Sequence, residues 1–208
     1  MTSPKFTPRK VLDVALSAVE VIVGLTYPLL IWYGLTHLRP RQIALFILAI
    51  LLPLAVRRFY RAQSSQRWVV VQAPAAAISL MFVSAIADDA RLILALPVLV
   101  NILFLLSFGR SLSTQPMAER YARMVHPDLS PAEIGHCRQV TAVWCGFFVA
   151  NAAVAAALAL WAPFAWWAIY TGIIGYTLMG LLFIAEYLVR ISRFGRRPTS
   201  SPMAANSK

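Results

Sequence analysis

A chain of 208 residues that is 60% hydrophobic and only 13% charged is far more apolar than a water-soluble domain, which runs at about 45–50% apolar and about 25% charged. Its formal charge of +11 arrives in short clusters between apolar runs, the pattern of membrane topology, so membrane lipids are the expected surroundings and nucleic acid is not an expected partner. Two cysteines, Cys137 and Cys145, lie eight positions apart, which is neither a disulfide framework nor a CxxC metal site, and no metal or other cofactor is expected.

Lys5, Arg9 and Lys10 resemble the start of a signal peptide, but the apolar run behind them carries Asp13 and Glu20. It offers no small-x-small cleavage site before Tyr27 and Pro28, so it reads as a retained first span. A spanning helix needs about 20 mostly apolar residues. The candidate spans are 14–34, 43–56, 68–87, 92–108, 140–161 and 164–189. The second is only 14 residues long and is bracketed by Arg41 and Arg57. Charge asymmetry decides in its favour. With six spans and a cytoplasmic N-terminus, 16 Lys and Arg lie inside and 3 outside; removing the second span reverses the balance. Arg41 and Arg57 can snorkel and the bilayer can thin around a short helix.

Trp32, Tyr33, Trp161, Trp166 and Trp167 fall at the ends assigned to the outer face, as an aromatic belt would. Pro53, Pro74 and Pro97 lie inside spans, where neighbouring groups must satisfy the carbonyls they free. The turn around Trp161-Ala162-Pro163 is short enough to make spans five and six an antiparallel hairpin.

The longest polar stretch between the ends is "PMAERYARMVHPDLSPAEIGHCRQVTAVWC", part of a cytoplasmic insert over 110–139. Residues 116–125 predict a short amphipathic helix: Met117, Tyr121, Met124 and Val125 recur at i, i+4, i+7 and i+8, away from Glu119, Arg120 and Arg123. Such a helix rests at a membrane interface with arginines among anionic headgroups. His126-Pro127-Asp128 turns the chain. Ser130-Pro131-Ala132-Glu133 then opens a helix with a capping box and proline at its first position, running on to Trp161 with its first turns in the cytoplasm.

The fold expected is therefore all-α: a polytopic integral membrane protein of six transmembrane helices with the second short. Both termini face the cytoplasm, and an interfacial amphipathic helix lies between spans four and five. Residues 1–190 form one transmembrane domain and 191–208 a basic, disordered cytoplasmic tail.

Ionisable and polar groups inside a membrane are the first functional candidates. Glu20 lies deepest and has no basic residue near it in sequence; it suits a cation, a relayed proton or a polar headgroup, or a plain hydrogen bond to a neighbouring helix. Glu186 has Arg190 at i+4 and reads as an ordinary helix pair. Asn101 and Asn151 sit mid-span and read as helix glue. Gly172, Gly175, Gly180 and Thr177 point to close packing on span six, and Asp88, Asp89 and Arg91 to a solvated outer turn. His136 beside Cys137 suggests a nucleophile pair, but adjacent helical residues diverge by about 100° and do not face each other. His126 and Asp128 are two apart, not an HxxxxD motif, and no GxSxG, Walker A, HExxH or DxD cluster occurs. No catalytic residue is assigned, and an accessory role is expected ahead of an enzymatic one.

"PMAERYARMVHPDLSPAEIGHCRQVTAVWCGFF" and "YTLMGLLFIAEYLVR" resemble a family of small Gram-negative inner-membrane proteins associated with aryl polyene and xanthomonadin-type pigment loci; the likeness covers mainly 115–190. The resemblance implies the bacterial inner membrane and an accessory role in pigment-lipid biosynthesis, anchoring or scaffolding acyl-chain-handling enzymes. In that role Glu119, Arg120, Arg123, His136 and Arg138 would dock soluble pathway enzymes or an acidic acyl carrier protein, whose carboxylates and phosphates arginines bind bidentately. The alternative is a small lipid or pigment transporter or flippase working as a homodimer through Glu20, Asn101, Asn151 and Glu186. An integral lipid-modifying enzyme stands third.

Overall fold

The structure is a computed structural model and describes residues 31, 33–61 and 67–195, of which 58, 61 and 67–73 are described as backbone alone. Every element among the described residues is helical. Residues 33–37 are helical and lead, through a break at 38–39, into α1 (Pro40–Arg61). There follow α2 (Arg67–Ala87), α3 (Ala90–Leu94), α4 (Leu96–Leu112), α5 (Met117–Val125), α6 (Pro131–Trp161), α7 (Phe164–Ile169), a π-helical turn (Tyr170–Ile174) and α8 (Gly175–Phe194).

Four stretches are long and apolar enough to cross a membrane: Pro40–Arg57, Ala90–Leu112, Pro131–Trp161 and Phe164–Phe194. The span expected at 14–34 lies almost wholly outside the described residues. The second span is short only in its apolar run, because α1 has 22 residues; flanking Gln42 and Arg57 extend the helix without extending the apolar face. The third coincides with α2, of which Pro74–Ala87 counts as a shorter apolar helix among the described residues. The fourth is broken at Ala95, two residues before Pro97. Proline has no N–H to continue the helical ladder.

α1 packs against α2 and α4 against α6, with α5 laid across the start of α6. Two apolar clusters hold these pairs. One, near the 88–90 turn, gathers Ile43, Ala44, Leu48, Met81, Ala85, Ile93 and Trp167. The other, near α5, is built on Val140, Trp144 and Phe148. Stacked and edge-on rings fill it: Phe148 lies 5.3 Å from Phe104 and 5.2 Å from Phe108, and Trp144 lies 4.5 Å from Phe183. The buried residues of α6 (Glu133, His136, Cys137, Val140, Thr141, Trp144, Phe148) recur at helical spacing along one stripe. Outward-facing apolar side chains such as Phe46, Phe82, Ile86, Val143 and Leu188 cover the rest. A large continuous apolar exterior is unfavourable in water and favourable in lipid.

Trp161 and Trp166 are exposed, as a belt position requires, but Trp167 is fully buried (0% exposed) and leaves the belt. Its indole Nε1 donates to the carbonyl of Leu94 at 3.2 Å, the last residue before the break. The helix interruption associated with Pro97 thus draws in a donor from α7, which the belt reading had placed at the surface. At the 88–90 turn, Asp88 adopts a positive φ of 52° and its Oδ1 accepts from the Arg41 N–H at 2.8 Å. Asp89 caps α3 by accepting from Arg91 N–H. The solvated turn expected there is exposed and also caps two helix starts, one of them distant in sequence.

Candidate functional site

Two groups of polar side chains lie between the helices, one at mid-length and one at the α5 end. At mid-length, Asn101 Nδ2 donates to the carbonyl of Pro97 at 2.8 Å. Asn151 Nδ2 donates to Asn101 Oδ1 at 3.1 Å, and Asn151 Oδ1 accepts from the Tyr170 hydroxyl at 2.9 Å. The two asparagines expected to glue helices do so, and Tyr170, at the head of the π turn, extends the chain to the last helix. Gly175 is where this contact is tightest: a Cβ there would lie 3.3 Å from the Tyr170 carbonyl and 3.5 Å from Asn151 Oδ1. Gly180 has open space around it, and Thr177 bonds its own helix at the Ile173 carbonyl. Between Gly175 and Gly180, two of the close-packing positions expected on span six, Gly175 is the one that makes a close approach.

At the other end, α5 begins at Pro116, which supplies no side-chain cap. The first free N–H groups of a helix need acceptors. Ser111 Oγ accepts from Met117 N–H at 2.9 Å and Thr141 Oγ1 from Ala118 N–H at 3.2 Å. Both hydroxyls are buried; each donates onward to its own helix, Ser111 to the Phe108 carbonyl and Thr141 to that of Cys137. Neighbouring helices therefore cap α5. The α6 start is local instead: Ser130 Oγ accepts from Glu133 N–H while Glu133 Oε2 accepts from Ser130 N–H at 2.8 Å, the capping box expected from the sequence.

The five docking candidates separate. Glu119 is buried, accepting from Arg123 Nε at 2.8 Å and from Gln115 Nε2. Arg123, half-buried, also donates to the Pro127 carbonyl. Arg138 is exposed and donates to the Leu112 carbonyl at 2.6 Å, capping the C-terminus of α4. Arg120 is exposed and without an ion-pair partner among the described residues. His136 is buried, 8% exposed, and neither ring nitrogen has a hydrogen-bond partner. So Glu119, Arg123 and His136 face inward, and Arg120 and Arg138 are the outward cations. α5 turns its apolar residues outward: Tyr121 is 60% and Met124 77% exposed, with Val125 beside them.

Glu186, half-buried on α8, forms no ion pair with Arg190 among the described residues. The i+4 spacing allows that pair, but both charges act on His136 and Cys137 of the α6 stem. Glu20 lies outside the described residues. Both cysteines are free thiols, Cys137 buried. Among the described residues no group of three or more His, Cys, Asp or Glu is placed to hold a metal ion. Sequence reasoning missed Ser111, Thr141, Trp167 and Tyr170, whose partners sit on other helices, and Arg193, which reaches Gln139 Oε1 at 3.4 Å.

The class these observations define is an all-helical protein with four apolar helices of membrane length among the described residues. No family model, no curated protein and no solved structure matches the chain.

Proposed function

We propose that the chain is a six-span protein of the bacterial inner membrane with both termini in the cytoplasm, and that it acts as an accessory protein holding soluble acyl-chain-handling enzymes at the bilayer. The observation that carries this reading is the build of α5. Its apolar residues Tyr121, Met124 and Val125 point away from the protein while Glu119 points in. A helix with that arrangement, fixed to the bundle by Ser111 and Thr141, is seated to rest on a membrane surface. Around it Arg110, Arg120 and Arg138 are exposed, a cationic rim suited to an acidic partner. The likeness of 115–190 to the pigment-locus family supports an acyl carrier protein as that partner and pigment-lipid biosynthesis as the pathway. Asn101 and Asn151 are engaged with each other and with Tyr170, which favours a helix-joining role for them over a transport path.

The test is deletion in the native host with lipid and pigment profiling, followed by complementation with Arg120→Glu/Arg138→Glu. The expected result is stalled pigment-lipid assembly on deletion. The double variant should insert normally yet lose crosslinking to the carrier protein. Wild-type pigment and lipid profiles in the deletion strain would refute the role.

A further inference from the structure

The α6–α8 seam at the α5 end holds the buried ring of His136. His136 is more than nine-tenths buried, and both ring nitrogens lack partners. A neutral imidazole always carries one N–H donor and one lone pair, and buried groups of this kind are nearly always satisfied. The ring packs on Phe194 of α8, centroids 5.5 Å apart. Along α8, Glu186, Arg190 and Arg193 recur at i, i+4 and i+7, one face of a helix, and the charges of all three act on His136. Other acidic groups nearby are engaged: Glu119 with Arg123, and Glu133 with Ser130. Arg190 has no ion-pair partner among the described residues, and Arg193 has only the long contact to Gln139. Two guanidinium groups against the Glu186 carboxylate leave the seam with an excess positive charge. Gly175 is the one buried residue of α8 among the described, and Arg193 near its end is exposed, so the seam opens to its surroundings there.

We infer that the seam binds the phosphate of a phospholipid headgroup, with Arg190, Arg193 and the His136 N–H as donors and Glu186 accepting from an amine on the same headgroup. Arginine suits phosphate because its planar fork donates two parallel bonds. Glu186 disfavours a dianionic phosphate and favours a phosphodiester that also carries a cationic amine; the glycerol hydroxyls of phosphatidylglycerol can donate but bring no positive charge, so phosphatidylethanolamine is preferred. The site rests on the membrane reading, since Arg190 and Arg193 follow the apolar run of α8 at headgroup depth, but not on the docking of enzymes.

The experiment uses the full-length protein, delipidated in detergent, titrated with phosphatidylethanolamine, phosphatidylglycerol or inorganic phosphate and read by native mass spectrometry and thermal shift. One phosphatidylethanolamine should be retained. Arg190→Gln/Arg193→Gln should weaken it about a hundredfold, the scale of two lost charged hydrogen bonds. His136→Phe, which suits the apolar packing, should weaken it while keeping the melting temperature. Glu186→Gln should erase the preference over phosphatidylglycerol, and Arg39→Gln at the opposite end should change nothing. Stabilisation by inorganic phosphate with no lipid retained would overturn the lipid assignment and leave a free-anion site. Unchanged lipid affinity in the arginine variant would overturn the site itself. Either result leaves the docking proposal standing, because that is read by carrier crosslinking.

Discussion

Thr141 joins two helices through one hydroxyl: it accepts from Ala118 N–H of α5 and donates to Cys137 of its own helix. Valine has the same shape without the hydroxyl. Thr141→Val is expected to cost about 1 kcal/mol, the usual net worth of a hydrogen bond. It should also raise amide exchange at Ala118, whose N–H loses its acceptor, ahead of Met117, which keeps Ser111 Oγ. Ser130→Ala breaks the capping box of α6 and is expected to lower stability by about 1 kcal/mol, read by thermal unfolding in detergent. These two residues show what a sequence discloses. Ser130 and Glu133 lie within one turn, so spacing alone announces their bond. Thr141 and Ala118 are 23 positions apart, and a threonine in an apolar run gives no sign of which helix start it serves.

The elements were legible wherever hydrophobic length decides, and less so where one helix repairs another. The runs at 43–56, 140–161 and 164–189 each fall within helical stretches, and 92–108 does so with one interruption at Ala95, because a long apolar run has few alternatives to a helix. Pro53, Pro74 and Pro97 all read as prolines inside spans; α1 and α2 run on through theirs, and only near Pro97 is the helix interrupted, at Ala95. Nothing signalled the π turn at Tyr170–Ile174 or the burial of Trp167, since a tryptophan near a helix end reads equally as belt or core. Both unread features bear on how the last span attaches. Trp167 supplies Leu94 with a donor, and Tyr170 reaches Asn151. Trp167→Phe keeps the ring packing and removes the N–H, so the cost should be about 1–3 kcal/mol for a carbonyl left unpaired. Asn151→Leu breaks two bonds at once, but hydrogen bonds between membrane helices average only about 0.6 kcal/mol. A loss of about 1 kcal/mol is expected, checked by thermal unfolding, with Tyr170→Phe giving about half of it. If Asn151→Leu instead leaves stability untouched, the asparagine chain does not join these helices.

At the scale of the whole molecule, one asymmetry organises the proposals: the end bearing α5 carries Arg110, Arg120, Arg123, Arg138, Arg190 and Arg193, while the opposite end carries Arg39, Arg41 and Arg91. The positive-inside rule assigns the richer end to the cytoplasm, and the enzyme-docking proposal depends on that assignment. Ser113 and Arg39 are exposed at opposite ends, which makes them reporters for a labelling test in a Cys137→Ala/Cys145→Ala background. An impermeant maleimide added to intact spheroplasts should modify Arg39→Cys and spare Ser113→Cys, with both modified after lysis. The test separates two arrangements that the fold alone treats alike, because a bundle of apolar helices packs identically whichever way it is threaded. Labelling of Ser113→Cys in intact spheroplasts would place Arg120 and Arg138 on the side away from soluble acyl-handling enzymes. The headgroup site would survive that result, since phospholipid phosphates line both faces of a bilayer, but the docking role would not.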